Sequence, residues 1–296
     1  MSSAQQERPS VGEDAREVLL ADLPVTERRL HPAGLSTAVL EGGAGPPIVL
    51  LHGPGAYAAA LLRVIPDLVT THRIVAPDLP GHGASPVAAD ALDVEGVVGW
   101  LAELIEQTCP SPPVLVGHLV GGAIGLRFAA DRGERLSRLV LVDAFGLAAF
   151  EPSPEFGSAL MSYLAEPTGD THDALWRQCS FDLDGLRQQI GGRWDAMKAY
   201  TLELANAPAA AEAVSRLMEL YALPAIAPEV LDRIAVPTTL IWGREDRATP
   251  LRVGVAASAR YGWPLHVIDD AGDDPTIDQP EAFMRALRSV LAEEGR

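Results

Sequence analysis

The stretch 113–122, PVLVGHLVGG, constrains the fold more than any other part of the chain. Val114, Leu115 and Val116 make an apolar, largely β-branched run that favours a strand. Residues 123–130 carry the spacing of an amphipathic helix. A junction this tight puts its central residue in a strained backbone region, and strand and helix approach only if the residues two positions to either side are small. Gly117 and Gly121 meet that condition, so the expected unit is strand, sharp elbow and helix with Leu119 at the apex.

Either side of this unit the chain alternates between short apolar runs and helical patterns. Residues 25–30 and 35–41 read as an opening hairpin around 31–34. Strands are expected at 47–51, 73–76, 136–143, 237–242 and 265–269, with helices at 94–107, 251–261 and 281–293 and a helical stretch before residue 69. Strands apolar at every position that alternate with helices predict an α/β fold with a mostly parallel sheet covered on both faces. Between 144 and 234 the strand pattern stops, and helices at 171–179, 183–205, 209–221 and 228–234 are expected instead. The expected organisation is a polar leader (1–22), a core (23–146 and 233–296) and an inserted helical cap (147–232).

Composition narrows the function. A formal charge of −17 disfavours nucleic acid, which needs clustered Lys and Arg. Lys198 is the only lysine, which leaves Schiff-base chemistry almost no candidate. Cys109 and Cys179 have no metal-ligand spacing and read as two reduced thiols in a cytoplasmic protein, with no metal site. No basic start precedes an apolar run, and no segment is long and apolar enough for a bilayer, so neither a secretion signal nor membrane binding is expected.

Five motifs occur in order: HGPG at 52–55, APDLPGHGAS at 76–85, VGHLVGG at 116–122, LVLVDAFG at 139–146 and IWGREDRATP at 241–250. Together they resemble the capped members of the α/β-hydrolase superfamily, from about residue 25 onward. The resemblance implies a nucleophile at the apex, a histidine after the last strand, an acid after the strand ending IWG, and two backbone donors for an oxyanion. Here the apex is Leu119, which has no lone pair with which to attack. Asp246 fits the acid's place, while the phrase DDAGDDPTIDQP puts Asp273 at the histidine position, or Asp274 if the register slips by one. After His52-Gly53 the first oxyanion donor falls on Pro54, which has no N–H, and the second, Val120, is retained. His118 flanks the elbow, where such a residue packs more often than it reacts.

Ordinary ester hydrolysis is therefore not expected. Two carboxylates in a poorly solvated site cannot both ionise cheaply, so Asp246 and Asp273 are read as an acid and base pair. The expected function is a cofactor-independent, non-hydrolytic cyclase, lyase or isomerase acting on an apolar small molecule of the bacterial secondary-metabolite kind. Leu119, Pro54 and Val120 would floor its pocket, with His52, Gly53 and His118 as further binding residues and cap aromatics such as Trp176 and Trp194 above. A non-catalytic binding protein and an atypical ester or epoxide hydrolase using an aspartate-activated water are the alternatives, and the reading leaves room for a homodimer.

Overall fold

Every residue of Pro47–Leu51 (β3), Val114–His118 (β5), Arg138–Val142 (β6) and Thr238–Gly243 (β7) is buried. Strands that bury both faces need a layer on each side. The computed structural model, which describes residues 11–292, shows both layers. Val49, Leu51, Leu115, Leu139, Leu141 and Leu240 face one apolar cluster, and the alternate residues Ile48, Leu50, Val114, Val116, Val140 and Ile241 face another.

The remaining strands are Thr26–Leu30 (β1), Thr37–Gly42 (β2), Arg73–Pro77 (β4) and Leu265–Ile268 (β8). The eight form one sheet in the order β1-β2-β4-β3-β5-β6-β7-β8. β1 and β2 pair antiparallel, as does β2 with β4, and every later pairing is parallel. This is the α/β-hydrolase sheet the motifs predicted, with the expected hairpin in register Leu30 to Thr37. The order puts the carboxyl ends of β5, β6, β7 and β8 side by side, so the loops after them share one place.

Between β6 and β7 lie the helices Pro154–Ala165, Gly169–Cys179, Leu183–Ile190, Gly192–Asn206, Pro208–Leu217 and Pro228–Leu231. The single helix expected at 183–205 is two, because Gly191 takes φ +63° and ends the first. The helix Pro154–Ala165 was not read from sequence; Ser153 caps it by accepting from the Phe156 N–H.

The polar leader is also corrected. Its first ten residues lie outside the described residues, but Val11–Leu20 is a helix that packs along Gly192–Asn206. It buries Ala15 and Leu19, with Leu23 following at the same helical spacing. Arg16 on this helix pairs with Asp78 after β4 at 2.9 Å and with Glu27 of β1 at 2.6 Å, and donates to the Tyr200 hydroxyl at 3.3 Å.

Candidate active site

Leu119 has φ +45° and ψ −108°, a conformation that costs an aliphatic residue about 1–3 kcal/mol. Neighbouring backbone holds it there. Its N–H donates to the Val142 carbonyl at 3.0 Å, and its carbonyl accepts from the N–H groups of Ala123 and Phe145, both at 3.1 Å. A Cβ on Gly117 would sit 2.5 Å from the Gly121 oxygen, and one on Gly121 would sit 2.6 Å from the Leu51 oxygen, so the elbow closes only with glycine at both. The Leu119 side chain is buried, and Val120 behind it opens the helix Val120–Arg132.

His118 faces the same place. Its Nε2 lies 2.6 Å from the Asp273 carbonyl oxygen, and its Nδ1 lies 4.0 Å from the Asp274 carboxylate. The ring lies against Gly53, where a Cβ would come within 3.0 Å of Nδ1 and 3.3 Å of a Leu119 methyl. The elbow, the loop at 52–54 and the loop after β8 therefore meet at this imidazole.

The loop after β8 is clamped from the cap side as well. A Cβ on Gly272 would overlap the Cys179 carbonyl oxygen at the end of helix Gly169–Cys179. That oxygen accepts from the Asp273 N–H at 3.0 Å. Asp278 fixes the contact by accepting from Ser180 Oγ at 2.6 Å and from the N–H groups of Phe181 (2.9 Å) and Gly272 (2.8 Å). Asp273 itself is buried, whereas Asp274 is partly open and caps Pro275–Asp278 through the Thr276 N–H.

Three carboxyls collect here. Asp246, in the turn after β7, accepts from the Ala248 and Thr249 N–H groups through Oδ1 at 2.7 and 2.8 Å. Asp143, at the end of β6, accepts from the Gly243 N–H through Oδ1 at 2.8 Å. The Oδ2 atoms of both are buried without a donor, and the two carboxyls lie within hydrogen-bonding reach of each other. Burial pushes Asp246 up to about 7 and Asp143 well above the carboxylate range, the latter helped by the charge of Asp246. Burial, then Asp246 and Asp274, hold Asp273 up in the same way. The Cys179 thiol reaches the Asp273 carboxyl and is kept protonated by burial and by that charge.

The structure thus sets Asp246 and Asp273 in one group of buried carboxyls, to which Asp143 adds a third. Asp143, within LVLVDAFG, has no role in the motif pattern, and its signal in the sequence is a lone acid ending an otherwise apolar strand. Three of the expected binding residues have structural partners of their own. His52 has both ring nitrogens engaged by main chain: Nδ1 lies 2.7 Å from the Gly53 oxygen, and Nε2 accepts from the Leu79 N–H at 3.0 Å. Burial pushes it down to about 4, so it is a neutral brace for the 52–54 loop. Trp176 and Trp194 meet edge to face at 5.0 Å and pack on His172 at 6.0 and 5.9 Å, forming the interior of the cap. Pro54 is half-buried in the loop that His52 braces.

Residues 48–286 match the family model described as Alpha/beta hydrolase family. The chain belongs to that family. It is 34% identical over 227 residues to the magnesium-chelatase 30 kDa subunit of Rhodobacter capsulatus, covering 73% of this chain and 76% of that one. It is 28% identical over 269 residues to the pimeloyl-[acyl-carrier protein] methyl ester esterase of Chromobacterium violaceum, covering 84% and 95%. Among solved structures it superposes on the 2-hydroxy-6-oxo-6-phenylhexa-2,4-dienoate hydrolase of a Rhodococcus species with a TM-score of 0.75 at 27% identity, covering 90% and 98%. Among the described residues no helix is long and apolar enough to cross a membrane.

Proposed function

We propose that this member of the alpha/beta hydrolase family does not hydrolyse, and instead moves a proton within a neutral, apolar small molecule, as an isomerase or lyase without a cofactor. The observation that carries this reading is the buried set Asp143, Asp246 and Asp273, whose carboxyls are held above their usual range below an aliphatic apex. A carboxylate raised toward neutrality is a stronger base than one in water, and its protonated neighbour is an acid, so one site holds both forms. Leu119 stands where the family places a nucleophile, Asp273 where it places the histidine, and Pro54 lacks the N–H of one oxyanion donor.

In this reading a carbonyl oxygen of the substrate faces the Val120 N–H, and Asp273 takes a proton from the adjacent carbon. The electron pair moves into the carbonyl as an enol or enolate. Return of the proton to another carbon completes an isomerisation, and departure of a β-substituent with a proton from a second carboxyl completes an elimination. Neutrality follows from the site: an anion would meet three acids and be repelled by any that is ionised. Leu119 supplies shape and apolar surface in place of a reactive group.

The test uses three probes on the intact protein: a fluorophosphonate, p-nitrophenyl butyrate and 5-nitrobenzisoxazole, a neutral molecule opened by removal of a carbon-bound proton. Expected are no labelling, no ester cleavage, and ring opening that falls about 10²-fold or more in Asp273→Asn. Labelling, ester cleavage or undiminished opening in that variant would sink the proposal. One observation favours a second reading, a binding protein without turnover: Asp246 Oδ1 is already occupied by two backbone donors, as in a purely structural turn. Saturable binding of the benzisoxazole with no opening would select it.

A further inference from the structure

Asp143 and Asp246 sit on neighbouring parallel strands whose register sets Val142 opposite Ile241, and the Asp143 N–H donates to the Ile241 oxygen at 3.1 Å. The turn after β7 then folds Asp246 back over the end of β6. Asp143 is fully buried and has φ +46°, a backbone state uncommon outside glycine and kept here by its surroundings. One oxygen of each carboxyl is satisfied: Asp143 Oδ1 by Gly243 N–H, Asp246 Oδ1 by the N–H groups of Ala248 and Thr249. The other oxygen of each is buried with no donor from the rest of the described protein. The Thr249 hydroxyl is the other buried oxygen in this turn without a partner, and two carboxylate oxygens brought within reach of one another attract only if a proton lies between them.

We propose that Asp143 and Asp246 hold one proton in common, and that Asp143 is the positioning residue that fixes the orientation of Asp246. The groups facing the pair are Asp273 from the loop after β8 and Cys179 from the end of the cap helix, with the His118 imidazole against the Asp273 carbonyl beyond them. The bond is O–H donated by Asp143, the more deeply buried of the two, to Asp246 Oδ2; transfer of the proton leaves the pair's total charge at −1. The pairing stands on the strand register that sets the two side by side and on the two buried oxygens left without a donor. Its consequence for chemistry rests on the proton-transfer reading above: when Asp273 accepts a proton from substrate, the pair fixes the negative charge behind it and sets the pH at which Asp273 works.

Amide replacements make the idea testable, because the backbone donors dictate how each amide sits. In Asp143→Asn the amide oxygen takes the Gly243 N–H and the NH2 group faces Asp246; in Asp246→Asn the oxygen takes Ala248 and Thr249 and the NH2 group faces Asp143. Either variant supplies the missing donor permanently and leaves its partner ionised. The measurement is the infrared carbonyl stretch of protonated carboxyl groups at pH 8.5, where ordinary Asp and Glu are fully ionised. The parent is expected to show one protonated carboxyl more than either single variant. Equal intensity in the parent and both variants would overturn the shared proton. Because the spectrum needs no substrate, loss of the band together with absent benzisoxazole opening would support the pairing while removing the proposed reaction.

Discussion

Two buried polar clusters in this molecule are built on opposite principles. At one end of the sheet, Arg16 reaches between Glu27, Asp78 and Tyr200, and Asp78 also accepts from the N–H groups of Ala58 (2.7 Å) and Ala84 (2.8 Å). Every charge there meets an opposite charge or a donor. At the carboxyl ends of β6 to β8, Asp143 and Asp246 each keep one buried oxygen without a donor, and Asp273 is a third buried carboxyl beside them. The first cluster fastens the leading helix and a cap helix to the core. The second is a net cost to the fold, and uncompensated cost at the mouth of a family active site points to function.

The contrast is broken most severely at Arg16. Arg16→Ala removes the cation from a fully buried carboxylate, and losing one partner of a buried pair costs about 3–5 kcal/mol. Urea unfolding of the variant should show a loss in that range, because Asp78 has no exposure with which to recover hydration. A loss below about 1 kcal/mol would show that the leading helix is only loosely attached, and the two clusters would no longer differ in kind.

The acid cluster predicts a loss of stability as pH rises. The unfolded chain ionises Asp246 near 3.8, whereas the folded chain keeps it protonated until about 7. A group raised by folding contributes stability that is present below the unfolded value and is lost as pH rises to the folded one. Each unit across that window removes about 1.4 kcal/mol, and above it the loss is constant. Asp246→Asn should therefore flatten the stability profile between about pH 4 and 7 in urea titrations, with the variant gaining on the parent toward pH 8. A parallel profile would mean that burial does not hold Asp246 protonated, and the acid cluster would no longer be a cost to the fold.

The sequence exposed the frame better than the site. Apolar runs such as PIVLL and VLVGH specify buried parallel strands locally, and Gly117 and Gly121 announce the elbow because the reason for them lies within five residues. The leading helix was hidden because its apolar stripe, Ala15, Leu19 and Leu23, is thin, and the partners of Arg16 lie at 27, 78 and 200. Asp143 was hidden for the same reason. Its meaning depends on strand order, which sets β6 beside β7 although 95 residues lie between Val142 and Thr238. The bracing contact of His52 was hidden because its partner, the Leu79 N–H, lies 27 residues on.

A smaller effect is expected at the apex. Leu119→Ser exchanges a buried aliphatic chain for a hydroxyl and should cost about 2–3 kcal/mol. It should not create an esterase, because Asp273 cannot take the proton of a serine as an imidazole does. Adding Asp273→His to it restores a nucleophile and base on the family frame, and fluorophosphonate labelling of the double variant but not the single one is the expected result. Labelling of the single variant would show that His118 or another group already serves as base, and would weaken the case for an acid-only site.

The smallest effect calibrates the rest. Arg233 and Asp131 form an ion pair at 2.8 Å with both side chains more than half exposed. Water screens such a pair and already solvates each partner, so Arg233→Ala should change stability by less than about 1 kcal/mol, and by less still in high salt. The distance is shorter than the 2.9 Å between Arg16 and Asp78, yet the expected loss is several-fold smaller. Urea unfolding of the two variants side by side separates burial from contact geometry. If Arg233→Ala costs as much as Arg16→Ala, the desolvation argument fails for both buried clusters, and the raised carboxyls lose their claim to a special role.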